Sequence, residues 1–213
     1  MVHESIAKAF TEHFIEKVSE LKSGNPWDEN GNVKITPLPE PNKVDKMKDL
    51  ITDAEQKGGK LINGHLGGGK VIGNLMQPAV IFPVTSNMRL WHEEQFGPVI
   101  PIATYKNLEE IYDYLAKMPY GQQASIFTRD AKSVASLVDI LSTTVGRINL
   151  NTQCGRSPDT LPFSGRRSSA LGTMSVSEAL NQFSIETVVA AKANDKNQQV
   201  LDQLDTVSTF LKV

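Results

Sequence analysis

Ala79-Val80-Ile81-Phe82, followed by Ile100-Pro101-Ile102-Ala103 and then Asn107-Leu108-Glu109-Glu110, is the stretch that decides the architecture of this chain. The first two strings are short apolar runs and read as buried strands. The third opens a helix, with a capping side chain at Asn107, acids in the first turn and an apolar face at Leu108, Ile111, Tyr112 and Leu115. The alternation continues through Ala124-Ser125-Ile126-Phe127, a helix carrying Val134, Leu137, Val138 and Leu141, and the strand Arg147-Ile148-Asn149-Leu150. Strands alternating with helices imply right-handed crossovers, so the expected fold is α/β, a mainly parallel sheet with flanking helices.

Upstream, Ile6, Phe10, Phe14, Val18 and Leu21 recur at helical spacing between Glu4 and a glycine stop at Gly24. Residues 25–41, with four prolines, read as an extended loop. A second helix runs through Val44, Met47, Leu50, Ile51 and Ala54 to Gly58-Gly59. The glycine-rich string Gly64-His65-Leu66-Gly67-Gly68-Gly69-Lys70 invites a phosphate-loop reading. It has Val71 where magnesium binding needs Ser or Thr, and no helix follows, so a surface turn is expected. Downstream, residues 185–190 read as one more strand. A helix follows with Val200, Leu204, Val207 and Leu211 on one stripe, which either folds back on its own domain or packs on a neighbour. The implied organisation is a domain over 1–183, a strand segment over 184–192 and a tail helix over 193–213.

The chain has 213 residues, a formal charge of −2 and a pI near 6.1, so no overall positive field draws nucleic acid or anionic lipid. A single cysteine, Cys154, leaves no internal disulfide and suits a reducing compartment. No apolar run is long enough to span a bilayer, and a cytoplasmic protein is expected.

Taken alone, the residues nominate no catalytic machine. Glu93 and Glu94 are sequence neighbours that point in different directions. The four histidines lack metal-ligand spacing, so no metal is expected. Cys154 has Arg156 two residues on but no visible base, which favours a structural thiol over a nucleophile. Arg156, Arg166 and Arg167 form a basic cluster that suits a phosphorylated small molecule, and a solvated loop would look the same.

Met88-Arg89-Leu90-Trp91-His92-Glu93-Glu94-Gln95-Phe96-Gly97-Pro98-Val99 resembles the aldehyde dehydrogenase segment with the core Glu-Glu-x-Phe-Gly-Pro. Tyr120-Gly121-Gln122-Gln123-Ala124-Ser125-Ile126-Phe127-Thr128, Gly146-Arg147-Ile148-Asn149 and Pro162-Phe163-Ser164-Gly165-Arg166-Arg167-Ser168-Ser169 follow in family order. The resemblance runs from about residue 2 to residue 189. Arg156-Ser157-Pro158-Asp159 with Pro162-Phe163 is similar to the NADP-dependent, non-phosphorylating branch acting on glyceraldehyde 3-phosphate.

By that resemblance Glu94 hydrogen-bonds the nicotinamide ribose, Phe96 packs beside the nicotinamide and Arg156 binds the substrate phosphate, with NADP as cofactor of the intact enzyme. Glu94 and Phe96 are expected after the Ala79–Phe82 strand, and Arg156 after the Arg147–Leu150 strand, facing one cleft. The family's cysteine nucleophile lies upstream of the segment matching Met1. Its dinucleotide-binding region, general-base glutamate, oxyanion amide and cofactor-orienting lysine also have no counterpart here. No residue of this chain is therefore assigned a catalytic role, and the chain alone is expected to be inactive and to bind no cofactor. The glycine of the family's Lys-x-Ser-Gly loop is Ala170, with Arg167 in the lysine place. The strand at 185–190 would belong to an oligomerisation sheet, so a homo-oligomer or a larger assembly is expected. The alternative is a truncated pseudoenzyme serving as a structural or interaction subunit.

Overall fold

The computed structural model describes residues 1–209, the side chains of residues 29 and 30 excepted. Strand β1 (Val2–His3) leads into helix α1 (Ala7–Ser19), and α2 (Lys43–Gln56) follows the proline-rich loop. Four strands come next: β2 (Lys60–Leu61), β3 (Val71–Ile72), β4 (Leu75–Met76) and β5 (Ala79–Phe82). Helix α3 (Arg89–His92) precedes β6 (Val99–Pro101) and β7 (Thr104–Tyr105). Helix α4 (Leu108–Lys117), β8 (Tyr120–Gly121), β9 (Gln123–Ile126), α5 (Ala131–Thr144) and β10 (Arg147–Leu150) form the next stretch. The chain continues through β11 (Phe163–Ser164), β12 (Arg166–Arg167), β13 (Thr173–Met174), α6 (Val176–Gln182) and α7 (Asp195–Val207).

Two pairs of strands joined through a helix lie side by side in parallel, as a strand–helix–strand crossover allows. β5 pairs with β6 in the register Ala79↔Val99 to Ile81↔Pro101, and β9 with β10 in the register Gln123↔Arg147 to Ile126↔Leu150. β1 pairs with β7 in parallel as well. The antiparallel pairs, β2/β5, β3/β4, β8/β12 and β11/β13, are two residues long each. The described strands therefore form several small sheets, three holding a parallel pair and three an antiparallel pair alone, rather than one broad sheet.

β5 is the pivot of the packing. Its side chains alternate between two sides, Ala79 and Ile81 entering a core with Met47, Leu50 and Ala54 of α2, and Val80 facing Val18 of α1. Each of the larger side chains contributes about 1.5–3 kcal/mol by leaving water, which is why a strand this short holds two helices. A second core forms where Leu137 and Leu141 of α5 meet Ile126 of β9 and the partly buried face of α4, including Ile111 and Leu115. The α4 start is as expected, with the Asn107 side chain accepting from the Glu110 N–H at 3.3 Å.

The glycine-rich string is a turn. Gly64–Leu66 is a single 3₁₀ turn and β3/β4 a hairpin, tied down by buried Asn63, which donates to Pro78 O at 2.8 Å and accepts from Val80 N–H at 2.9 Å. A Cβ on Gly68 would sit 2.2 Å from the Asn63 side chain, so this glycine admits the amide rather than a phosphate.

Three expectations need correction. Helix α1 ends at Ser19, not at Gly24, and buries Ala7, Thr11 and Val18, while Ile6 and Phe10 face outward, Phe10 stacked on Phe14 at 5.4 Å. The stripe that periodicity assigned wholly to the core is thus half uncovered. Residues 184–192 form no strand, because among the described residues no other strand pairs with them; a β-strand needs a partner for its backbone groups. On α7, Leu201 and Leu204 are half-buried whereas Val200 and Val207 are exposed, so the inward face is rotated from the predicted stripe. Leu211 lies outside the described residues.

Candidate functional site

A cleft of about 400 Å³ opens between the segment after β5 and the end of α4. Its walls include Trp91, Glu94 and Phe96 on one side and Tyr114, Met118 and Tyr120 on the other. The near wall stands on α2. Asp53 of that helix accepts the Arg89 N–H at 2.9 Å and so caps the start of α3, while Lys57 holds the same carboxylate at 2.6 Å. Hydrogen bonding from Lys57, then from the Arg89 backbone, lowers the Asp53 pKa, so the cap stays charged.

The two adjacent glutamates are separated in role by one turn of helix. Arg89 grips Glu93 through Nε–Oε1 at 2.6 Å and Nη2–Oε2 at 3.0 Å, and that hydrogen bonding lowers the Glu93 pKa. Glu94 is exposed at the cleft, and among the described residues its carboxylate meets no hydrogen-bond donor or cation. Two residues on, the Phe96 backbone lies in the left-handed region at φ 43°, and its ring is 75% exposed. A bulky residue there is strained, and a large apolar ring so open forgoes the burial it would otherwise take. Gly97 completes the turn: a Cβ there would stand 2.4 Å from the sulfur of fully buried Met47. The far wall is aromatic, with Tyr114 meeting Trp91 edge to face at 5.2 Å. Burial pushes the Tyr114 hydroxyl pKa up, so it stays neutral.

This donor set fits the nicotinamide end of a dinucleotide. A partnerless carboxylate can accept ribose hydroxyl protons, and an exposed ring can cover a flat heterocycle. Sequence periodicity could not have found Tyr114 as a wall, because it belongs to an ordinary amphipathic helix. Tyr120 stood at the head of a motif string and offered the better signal.

Arg156 lies on the loop after β10, as expected, but it is not among the walls of the cleft that Glu94 and Phe96 border. The structure does not gather the three predicted residues into one cavity. The basic cluster resolves into unlike members. Arg166 donates Nε–H to Val145 O at 3.0 Å, and Arg167, at φ 56°, turns its guanidinium onto the carbonyls of Leu115 in α4 and of Met118 just after it. These two are structural caps. Arg156 remains exposed, with Asp159 at 3.9 Å and its guanidinium 5.5 Å from the centre of the Phe163 ring.

Cys154 is exposed, its Sγ 3.1 Å from Ser125 Oγ and 3.8 Å from Asn149 Nδ2. A hydroxyl and an amide supply neither the cation nor the base that activates a thiol. Among the described residues no three His, Cys, Asp or Glu side chains gather to hold a metal ion, and no helix is long and apolar enough to cross a membrane.

Comparison with known proteins places the chain among relatives of known family. The aldehyde dehydrogenase family model matches residues 1–189. The NADP-dependent glyceraldehyde-3-phosphate dehydrogenase of Streptococcus equinus is 34% identical over 91% of this chain, which spans 38% of that protein. The lactaldehyde dehydrogenase of Methanococcus maripaludis is 33% identical over 89% of this chain and 39% of its own length. Among solved structures, an NADP-dependent glyceraldehyde-3-phosphate dehydrogenase from Bacillus halodurans in complex with NADP superposes with a TM-score of 0.76 at 34% identity, covering 84% of this chain and 36% of the other. The chain thus spans less than two fifths of these relatives. It belongs to the aldehyde dehydrogenase family.

Proposed function

We propose that this chain provides the nicotinamide-ribose wall and the substrate-anion grip of an NADP-dependent aldehyde dehydrogenase that oxidises glyceraldehyde 3-phosphate to 3-phosphoglycerate. One observation carries the reading: Phe96 holds its ring out at the cleft at φ 43°, two residues from the partnerless carboxylate of Glu94. Strain kept beside an unused charge has a use in ligand binding. When bound, the cofactor accepts hydride from the aldehyde. Glu94 anchors the ribose and Phe96 covers one face of the ring, while Arg156 holds the phosphate of the substrate. NADP-bound relatives with this architecture support the cofactor, and the glyceraldehyde-3-phosphate dehydrogenases among them support the substrate.

On this reading the 213 residues by themselves do not turn over, since their one thiol, Cys154, has only the hydroxyl of Ser125 and the amide of Asn149 beside it, and neither activates a nucleophile. Mixing the chain with NADP and glyceraldehyde 3-phosphate should give no NADPH. Formation of NADPH that Cys154→Ser abolishes would overturn the assignment.

A second reading has its own observation. Ile185, Val188 and Val189 are exposed on a segment that pairs with no described strand, the form of an edge awaiting another chain. It supports a self-associating chain or a structural subunit of a larger assembly. The single thiol, free and exposed, supports a reducing, cytoplasmic setting.

A further inference from the structure

We infer that Gln123 and Arg147 are positioning residues for Arg156: together they fasten residues 154–157 to one face of the β9/β10 ladder and so fix where that guanidinium is presented. The inference rests on the reading of Arg156 as the anion grip and deepens it.

Gln123 and Arg147 are direct partners in the parallel register, so their side chains emerge on the same face. Ser125 and Asn149, two residues further along each strand, share that face. All four reach the loop. Ser125 Oγ lies 3.1 Å from Cys154 Sγ. Gln123 Oε1 accepts the Gly155 N–H at 3.1 Å. Arg147 donates Nη1–H to Arg156 O at 3.2 Å and Nη2–H to Ser157 O at 2.8 Å. The contacts therefore follow the loop residue by residue, and they bracket Arg156 on both sides.

The Gln123 amide is itself fixed. Buried Asn149 donates Nδ2–H to Gln123 Oε1 at 3.2 Å and to Ala124 O at 3.1 Å, which turns the glutamine oxygen toward Gly155. Arg147 spends its fork on two carbonyls rather than on a carboxylate, reaching them from two nitrogens held a fixed distance apart, which the single nitrogen of an ammonium cannot reproduce. A loop with no secondary structure of its own would otherwise lose conformational freedom each time an anion docked; a fastened loop has lost it already.

Hydrogen exchange of the Gly155 amide, read by NMR on the 213-residue chain, together with titration by inorganic phosphate, tests this. Gln123→Leu should raise Gly155 exchange about tenfold, the worth of one hydrogen bond to this amide, while Arg147 and Asn151, whose N–H groups donate to Gln122 O and Ile126 O across the ladder, keep their protection. Arg147→Met and Arg147→Lys should weaken phosphate binding alike, by about fivefold. The lysine variant keeps the charge and so separates positioning from attraction. Wild-type affinity in Arg147→Lys, or unchanged Gly155 exchange in Gln123→Leu, overturns the inference. Arg156→Ala with undiminished phosphate binding instead removes the anion-grip reading, and Gly155 exchange alone then decides whether the loop is fastened. The Arg147 variants cover the case in which Gln123→Leu, by orphaning Asn149, fails to fold.

Discussion

Arg89 holds Glu93 in a two-point ion pair at 2.6 and 3.0 Å, and in doing so it withdraws one of two adjacent carboxylates from the cleft and leaves Glu94 open to it. Both residues of the pair are about two-fifths exposed, so solvent discounts its stabilisation to about 0.5 kcal/mol. Its larger effect is on geometry, since it anchors the turn that carries Glu94 and Phe96.

Substitution should separate the two glutamates. Glu93→Ala lowers unfolding stability by about 0.5 kcal/mol, whereas Glu94→Ala leaves it unchanged, since nothing among the described residues depends on that carboxylate. Urea titration of the two variants beside the wild type measures the difference. A destabilised Glu94→Ala would mean that the carboxylate has a structural partner.

The acid dependence follows from the lowered pKa values of Asp53 and Glu93. A carboxylate whose folded pKa lies below its unfolded value contributes its full stability above the unfolded value, and that contribution is lost as pH falls through the folded one. The melting temperature of Asp53→Asn should therefore lie about 2–4 °C below wild type at neutral pH. The gap should close below about pH 4. A gap that stays constant from neutral to acid pH would show that Asp53 acts through packing rather than charge.

Asn63 gives the clearest test of the glycine-rich string as structure. Asn63→Leu leaves the Val80 N–H and one Pro78 carbonyl bond unmet in a buried site and should cost about 1–3 kcal/mol of unfolding free energy. Calorimetry of that variant checks it. Inorganic phosphate should leave the amide signals of residues 64–70 unmoved.

Much of this fold was legible in the sequence because the signals were local. Ala79–Phe82 and Arg147–Leu150 form strands over those same residues, and Asn107 caps α4, since an apolar run or a cap followed by acids needs no distant partner to be read. The expectations that failed depended on what lies across space. Ile6 and Phe10 kept helical periodicity yet stay exposed, and residues 185–190 kept strand composition yet join no other strand among the described residues. Arg167 looked like a member of an anion site and serves instead as a helix cap, because its target carbonyls lie some fifty residues back in sequence. Glu94 and Phe96 came from family likeness alone. Periodicity gives no hint that a phenylalanine will adopt a positive φ.

Self-association should be measurable. Ile185 is 95% exposed and Val188 nearly as open, and contiguous β-branched surface of this kind seeks a second strand. Sedimentation at micromolar concentration should show a dimer or higher species that Ile185→Lys with Val188→Lys shifts toward monomer. A wild-type chain that sediments as a monomer at every concentration would end this reading.

The cleft itself is most directly tested with nicotinamide mononucleotide, which carries the ring and ribose and needs no other part of a dinucleotide site. Titrated into the 213-residue chain and followed by NMR, it should move the amide signals of residues 93–97 and the Trp91 indole signal. The same titration of Phe96→Ala or Glu94→Ala should move them several-fold less. Shifts confined to other surfaces, or equal shifts in wild type and both variants, would contradict the assignment of Glu94 to the ribose and Phe96 to the nicotinamide ring.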